Sequence, residues 1–506
     1  MPGPTPDGLS EVKRELLARL LKGGGGGAQA APLSRIPAVP PDRRVRLSFA
    51  QERVWLTCQL AGDVPVFNLM GAGRLRMPLD VEGMRLRLEQ IVQRHDALRM
   101  SVAAADGEGE DGVPTLVVHD TVPVEIPVTD LRDIADLAER EATAERLMIE
   151  IALRPYDLER APLWRLELLR LGDEEYLMVV GNHHLILDAT SMNMVIGELV
   201  TPPDDSSATS FRDFAHWQRE QFAKGAYDDQ LRFWHERLSA LPPPLVLPSD
   251  RPRRDAASYA GDTLRFIVPG DVADRLRELG KVEGTTLYAV VLSSFMSLLS
   301  RYTGQTDVLV GTQVSGRQLP ELHRAAGMFV NLIPIRASLA GEVTFREVVR
   351  RVQASLTESF AHQDVPFEKL VQDLRGDVDR SHAPLVQVSC NMPQTTTPPG
   401  GEEVPTPMAP GGSLIDLTLH VLPRGRALEF QFEYPTALFD ATTVERMARN
   451  YGRLLRALSA DPDGPLVTAE LIGPRDRELL AELGSGAEPG DAATLPGLVT
   501  ATVAAR

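Results

Sequence analysis

Residues 176–183, Tyr-Leu-Met-Val-Val-Gly-Asn-His, constrain the fold more than any other stretch. The run is nearly all apolar and ends abruptly in polar residues. That is the pattern of a central strand buried on both faces, which needs a layer of other elements on each side. The surrounding sequence supplies them. Residues 82–99 read as a helix and 164–171 (WRLELLRL) as a second strand, and amphipathic helices are expected around 211–224 and 227–239. From about 262 to 472 the alternation starts again. This block holds an apolar helix at 285–302, a strand at 307–313, a helix at 345–360 and the strand LEFQFEY at 428–434. In the last of these Leu428, Phe430, Phe432 and Tyr434 fall on one face. Two α/β blocks of comparable size suggest two lobes, and 506 residues are enough for them.

The flanks and connections have a different composition. Residues 9–22, LSEVKRELLARLLK, carry helical spacing, with Ser10 as cap and the Gly23–Gly27 run as terminator. An Ala- and Pro-rich tether follows. One amphipathic helix on a tether either packs on the main body or docks on a partner. Residues 203–210 read as a loop, 393–413 as a mobile Pro-, Gly- and Thr-rich loop, and the tail after Pro474 as lacking a closing element.

Charge and cysteine usage exclude several functions. The net charge is −17 and no basic stripe is present, so nucleic acid is not an expected partner. Two cysteines, Cys58 and Cys390, cannot make a disulfide framework or a Cys-rich zinc site. The longest apolar run, Leu287 to Leu299, is broken by Ser293 and Ser294 and reads as a buried helix rather than a membrane span. The N-terminus has no signal pattern, so a cytoplasmic location is expected.

The strongest chemical candidate is Asn182-His183-His184-Leu185-Ile186-Leu187-Asp188-Ala189-Thr190-Ser191. Neighbours on a strand point to opposite faces, so one histidine at most faces a given cavity. Asp188 and Ser191 stand where the next helix begins. A structural reading remains open on the residues alone: Asp188 caps that helix and both histidines are satisfied core residues. The pair is not a zinc site, since no third ligand cluster has suitable spacing. There is no G-x-S-x-G elbow and no Walker A motif. Cys58 has no histidine near it in sequence and reads as inert.

The histidine segment resembles the HHxxxDG signature of the condensation domains of nonribosomal peptide synthetases. LSFAQERVWLTCQL (47–60), RHDALRMSV (94–102), FRDFAHW (211–217), VGTQVSGR (310–317), GMFVNLIPIR (327–336), HQDVPFEKLV (362–371) and RSHAPLVQVSCNM (380–392) resemble further motifs of that family, in the family's order. Together they span roughly residues 45–472.

The resemblance implies an α/β fold of two-layer α+β type. Two chloramphenicol acetyltransferase-like lobes would form a V-shaped pseudo-dimer with a central tunnel. It implies N- and C-terminal lobes at 45–220 and 221–474, preceded by a linker or docking helix and tether at 1–44. Residues 475–506 would be a linker and the start of an adenylation domain. An upstream carrier protein would deliver an acyl or peptidyl thioester and a downstream carrier an aminoacyl thioester, both on phosphopantetheine arms. The chain would bind no cofactor or metal of its own. Its partners would be those carriers and the adjacent adenylation domain, and it would work as a monomer without nucleic acid or membrane.

Carried over from the motif, His184 is the catalytic residue. His183, Asp188 and Arg317 support the site, with a salt bridge between Asp188 and Arg317. Ser191, Trp217 and Asn331 are channel or substrate-positioning candidates, although packing and turn support is the better account of them. The family's glycine after the Asp is Ala189 here. If φ is positive there, Ala costs about 1 kcal/mol; if it is negative, the methyl only narrows the channel. An ester-forming or starter (fatty-acyl) relative is the alternative reading, and a catalytically silent recruitment scaffold is an alternative of another class.

Overall fold

A computed structural model describes residues 35–103, 113–201, 209–253, 258–374, 383–393, 401–404, 406 and 411–484. The expected helix at 9–22 and most of the 203–210 loop lie outside the described residues.

The first half contributes β1 (Val45–Arg46), α1 (Phe49–Ala61), β2 (Asn68–Arg76), α2 (Val81–Arg94), β3 (Met100–Ala103), β4 (Thr115–Val118) and β5 (Val128–Asp130). It continues with α3 (Leu137–Leu153), β6 (Trp164–Arg170), β7 (Glu175–His183), α4 (Ala189–Val200), α5 (Phe211–Ala223) and α6 (Asp228–Leu238). The apolar run is β7, and it is central as expected, with β2 and β6 antiparallel on its two sides. Met70, Leu177 and Val179 pack one face of this sheet against Ala144, Met148 and Ile151 of α3.

The second half holds β8 (Gly261–Val268), α7 (Gly270–Val282), α8 (Leu287–Thr303), β9 (Asp307–Val314), β10 (Asn331–Ser338), α9 (Phe345–Phe360) and α10 (Phe367–Leu374). Then come β11 (Val388–Asn391), β12 (Gly401–Val404), β13 (Leu417–Arg424), β14 (Ala427–Pro435), α11 (Ala441–Ala460) and α12 (Pro474–Gly484). Its sheet has six strands in the order β10-β9-β11-β13-β14-β8, with β11 parallel to both neighbours. Phe430 and Phe432 of β14 are fully buried, together with Phe295 of α8 and Tyr451 of α11. The Tyr451 ring stacks on Phe432, and its hydroxyl lies 2.9 Å from Ser294 Oγ. Removing such a ring costs about 3–5 kcal/mol. No single described helix is long and apolar enough to cross a membrane.

Two expectations are corrected. Residues 401–404, inside the stretch read as a mobile loop, form β12. This strand pairs antiparallel with β2 (Gly401↔Leu75 to Val404↔Ala72) and gives the first half's sheet its fifth strand. Glycine and proline density marks breaks in the chain but carries no information on a distant pairing partner. The segment after Pro474 does carry an element. Its proline opens α12, where a missing N–H costs nothing. Asp476 ties α12 back to Arg453 at 3.0 Å.

Candidate active site

The histidine segment is held at many points. β7 ends at His183, and the chain turns through residues 184–187 into α4. Backbone N–H groups of His183 and His184 donate to the carbonyls of Leu163 (2.9 Å) and Phe67 (2.8 Å). Gln51 Nε2 donates to Leu185 O at 2.9 Å, while the same side chain forms a capping box with Ser48 at the start of α1. The main chain therefore has little freedom before the histidine side chains are considered.

His183 points into protein. Its Nδ1 accepts from Leu185 N–H at 3.1 Å, which leaves the proton on Nε2. That nitrogen lies 3.6 Å from Cys58 Sγ, so the cysteine with no histidine near it in sequence has one beside it in space. Phe67 and Tyr156 stand edge-on to the ring. Burial, with the neighbouring His184, pushes the His183 pKa down to about 3, and burial pushes the Cys58 thiol up to about 12. Both groups are neutral near pH 7, as a structural role requires.

His184 differs. It is only half-buried. Its Nδ1 lies 3.1 Å from Leu187 O, an acceptor, so the proton sits on Nδ1. Nε2 then carries a lone pair with no protein partner among the described residues. Burial holds its pKa below the ordinary 6.5, and the nearby negative charge of Asp188 partly opposes this. The group is a neutral base whose free nitrogen is already aimed away from the backbone that anchors the other.

Asp188 is the N-cap of α4, accepting from Ser191 N–H at 2.8 Å. It is not available as a base. Arg317 grips it with two bonds of 2.8 and 3.0 Å, and Phe329 N–H donates to the same carboxylate at 3.1 Å. Both partners of the pair are buried. Breaking such a pair from one side strands a charge, at a cost of about 3–5 kcal/mol. Ser191 Oγ donates to Gly327 O (2.8 Å) and accepts from Gly327 N–H (3.0 Å) and Arg317 Nη2. Asp188 N–H also reaches Gly327 O, at 3.1 Å. Segment 315–329 of the second half is thus bolted onto the histidine segment of the first. Two glycines permit the close approach. A Cβ on Gly327 would meet the Phe211 ring at 2.0 Å, and one on Gly316, where φ is +65°, would meet Phe329 O at 1.9 Å.

Ala189 is the first residue of α4, and its φ is not positive. The methyl adds volume without backbone strain. Trp217 is buried beside Phe214, in a cluster that continues to Phe329, and its Nε1 has no partner among the described residues. Asn331 donates to the carbonyls of Gln363 and Val365 (2.9 and 2.7 Å) and accepts from Phe367 N–H (3.0 Å). It braces the turn into α10. Sequence reasoning missed Gln51, Gly327 and Phe329 as supports. All three stand inside the motif segments, which was the signal available. No group of acidic, histidine or cysteine side chains suited to a metal occurs among the described residues.

This arrangement has relatives. A family profile described as "Condensation domain" matches residues 42–481. A linear gramicidin synthase of Brevibacillus parabrevis is 36% identical over 468 residues, 89% of this chain and 6% of that protein. Phosphinothricin tripeptide synthetase PhsC of Streptomyces viridochromogenes is 33% identical over 489 residues, 92% of this chain and 43% of that protein. The chain therefore spans less than half the length of these curated relatives. Among solved structures, the X-domain from teicoplanin biosynthesis superposes with a TM-score of 0.74 at 26% identity, covering 87% of this chain and all of that one. The first condensation domain of the calcium-dependent antibiotic synthetase, bound to a substrate analogue, gives 0.73 at 21% identity over 85% of this chain and all of that one. The fold is the mixed α/β, chloramphenicol acetyltransferase-like fold of these domains. With its profile match across most of the described residues, the chain belongs to the condensation domain family of nonribosomal peptide synthetases.

Proposed function

We propose that this chain forms an amide bond between two carrier-bound substrates. An upstream carrier presents an acyl or peptidyl thioester, and a downstream carrier presents an aminoacyl thioester with a free α-amine. The amine nitrogen bonds to the donor carbonyl carbon, the C–S bond breaks, and the nitrogen's proton ends on the departing phosphopantetheine thiol. The single observation carrying the reading is His184, neutral, held through Nδ1 and without a partner at Nε2 among the described residues. That nitrogen orients the amine and takes its proton as the new bond forms. A free α-amine has a pKa near ~8, so part of it is unprotonated without help. Orientation then contributes alongside proton transfer.

In this reading His183, Asp188 and Arg317 keep the loop in place, and Ser191 joins them through Gly327. Trp217 and Asn331 act by packing and bracing. The domain limits belong to the same proposal, with lobes at 45–220 and 221–474, a linker or docking helix and tether at 1–44, and a linker and the start of an adenylation domain at 475–506. The amide product is favoured over the ester because a free α-amine already carries a usable lone pair near neutral pH, whereas a hydroxyl, far less acidic than an ammonium, depends on His184 for its activation.

The test is single-turnover transfer from a loaded upstream carrier to a loaded downstream carrier, read by intact-protein mass spectrometry. Transfer to amine acceptors, lost by about 100-fold or more in His184→Ala, is the expected result. Transfer only to hydroxyl acceptors would replace amide with ester. No transfer to either, with both carriers binding, would favour a recruiting scaffold. The teicoplanin X-domain, solved in complex with OxyB, shows that a domain of this fold can bind a further protein.

A further inference from the structure

We infer that Asn182 is a positioning residue that keeps His184 in the tautomer the proposed reaction needs; the inference rests on that reaction for its purpose but not for its geometry. Asn182 lies on β7, between Leu69 of β2 and Trp164 of β6, and only 1% of it is exposed. An amide buried this deeply is costly unless its hydrogen bonds are made. Its Nδ2 lies 3.1 Å from His183 O and 3.1 Å from Leu187 O. Both partners are carbonyl oxygens, which only the NH₂ end can face, so the orientation of the amide is fixed by its partners. The two N–H bonds span the histidine loop and close it from end to end.

Leu187 O is the carbonyl that accepts from His184 Nδ1. Asn182 thus holds in place the oxygen that selects the tautomer. The hydrogen bond made by one ring nitrogen decides which nitrogen carries the proton. If Leu187 O swings away, the Nδ1 proton loses its partner on the loop and keeps only the residue's own backbone, and Nε2 takes it for part of the time. An imidazole with Nε2–H cannot accept a proton from an amine placed there. The other end of Asn182 supports the same role. Its Oδ1 is buried without a partner among the described residues. A residue kept only for packing would not leave an acceptor unmet when an apolar side chain of similar volume fits the same space.

The test uses the whole chain with ¹⁵N-labelled histidine. Long-range ¹H–¹⁵N correlations identify the protonated ring nitrogen of His184, assigned by its loss in His184→Ala. In the unaltered protein Nδ1 is expected to be protonated and Nε2 bare. Asn182→Leu, which keeps volume, and Asn182→Ala, which adds no bulk, are each expected to give a mixed or Nε2-protonated His184. Single-turnover transfer should fall about 10-fold while carrier affinity stays within twofold. A merely structural role would leave the tautomer unchanged in whichever variant folds, and that result overturns the inference. So does a transfer rate within twofold of the unaltered protein. Should the unaltered protein transfer nothing on any carrier pair, the proposed reaction fails, while the tautomer measurement still decides the role of Asn182.

Discussion

Two adjacent histidines on one strand end meet opposite chemical fates, and the cause is which nitrogen the backbone takes. Leu185 N–H donates to His183 Nδ1, whereas Leu187 O accepts from His184 Nδ1. The first ring is turned inward against Cys58, Phe67, Tyr156 and its neighbour His184, the second is left with a free Nε2. The inward ring has a measurable consequence. An unfolded histidine titrates near 6.5, while burial holds folded His183 near 3. Between these values the unfolded chain binds the extra proton. The contribution of His183 to stability is therefore complete above about pH 6.5 and is lost as the pH falls towards 3, by up to about 1.4 kcal/mol per pH unit. Urea melts at pH 7.5, 6 and 5 should show His183→Gln losing less stability on acidification than the unaltered protein. Parallel losses would place the proton elsewhere. The motif marked this pair in the sequence, but the tautomers were not legible there. They depend on carbonyls and N–H groups whose direction is set only once β7 has turned into α4.

At the level of elements, the decisive contact joins the start of α4 to the segment leading into β10. Asp188 and Ser191 meet Arg317, Gly327 and Phe329, and the guanidinium of Arg317 lies 4.4 Å over the Phe329 ring. Phe329 in turn packs against Phe211 and Phe214 of α5. The Asp188–Arg317 pair was expected from the resemblance. The two glycines stood in the sequence only as letters in motifs, because a glycine's purpose is the atom it lacks, and what would fill that space is visible only in three dimensions. Gly327→Ala should destabilise the protein by about 1–3 kcal/mol through the clash with Phe211. Phe211→Leu, combined with it, should return part of that loss in thermal melts. Additive losses in the double variant would mean the two sites are not in contact.

Across the whole molecule, the two halves exchange elements as well as contacts. β12 belongs to the second half by sequence but completes the first half's sheet, with Arg76 reaching Glu402 at 2.9 Å. On α1, Arg53 bonds Glu368 of α10 at 2.7 Å. The histidine loop is reached from both halves, through Gln51 on one side and Gly327 on the other. A proline in β12 tests this arrangement, since it removes a donor from the ladder. Val404→Pro should speed amide exchange in Ala72–Leu75 of β2 while leaving β8 and β14 protected. Unchanged exchange in β2 would show that its edge needs no cover.

The sequence by itself determined the elements, because alternation and helical spacing are local: β7, α9 and the strand at 428–434 stand where periodicity put them. It also determined the family, through ordered motifs, and named the histidine pair and its Asp–Arg support. Only the tertiary structure decided that Cys58 sits on His183, that Ala189 enters its helix without strain, that Asn331 braces a turn, and that residues 401–404 are a strand. Apart from the backbone of Ala189, each of these depends on a partner far away along the chain. Local pattern encodes a residue's own backbone preference, whereas a hydrogen-bond direction or a cross-sheet pairing exists only after distant segments have packed.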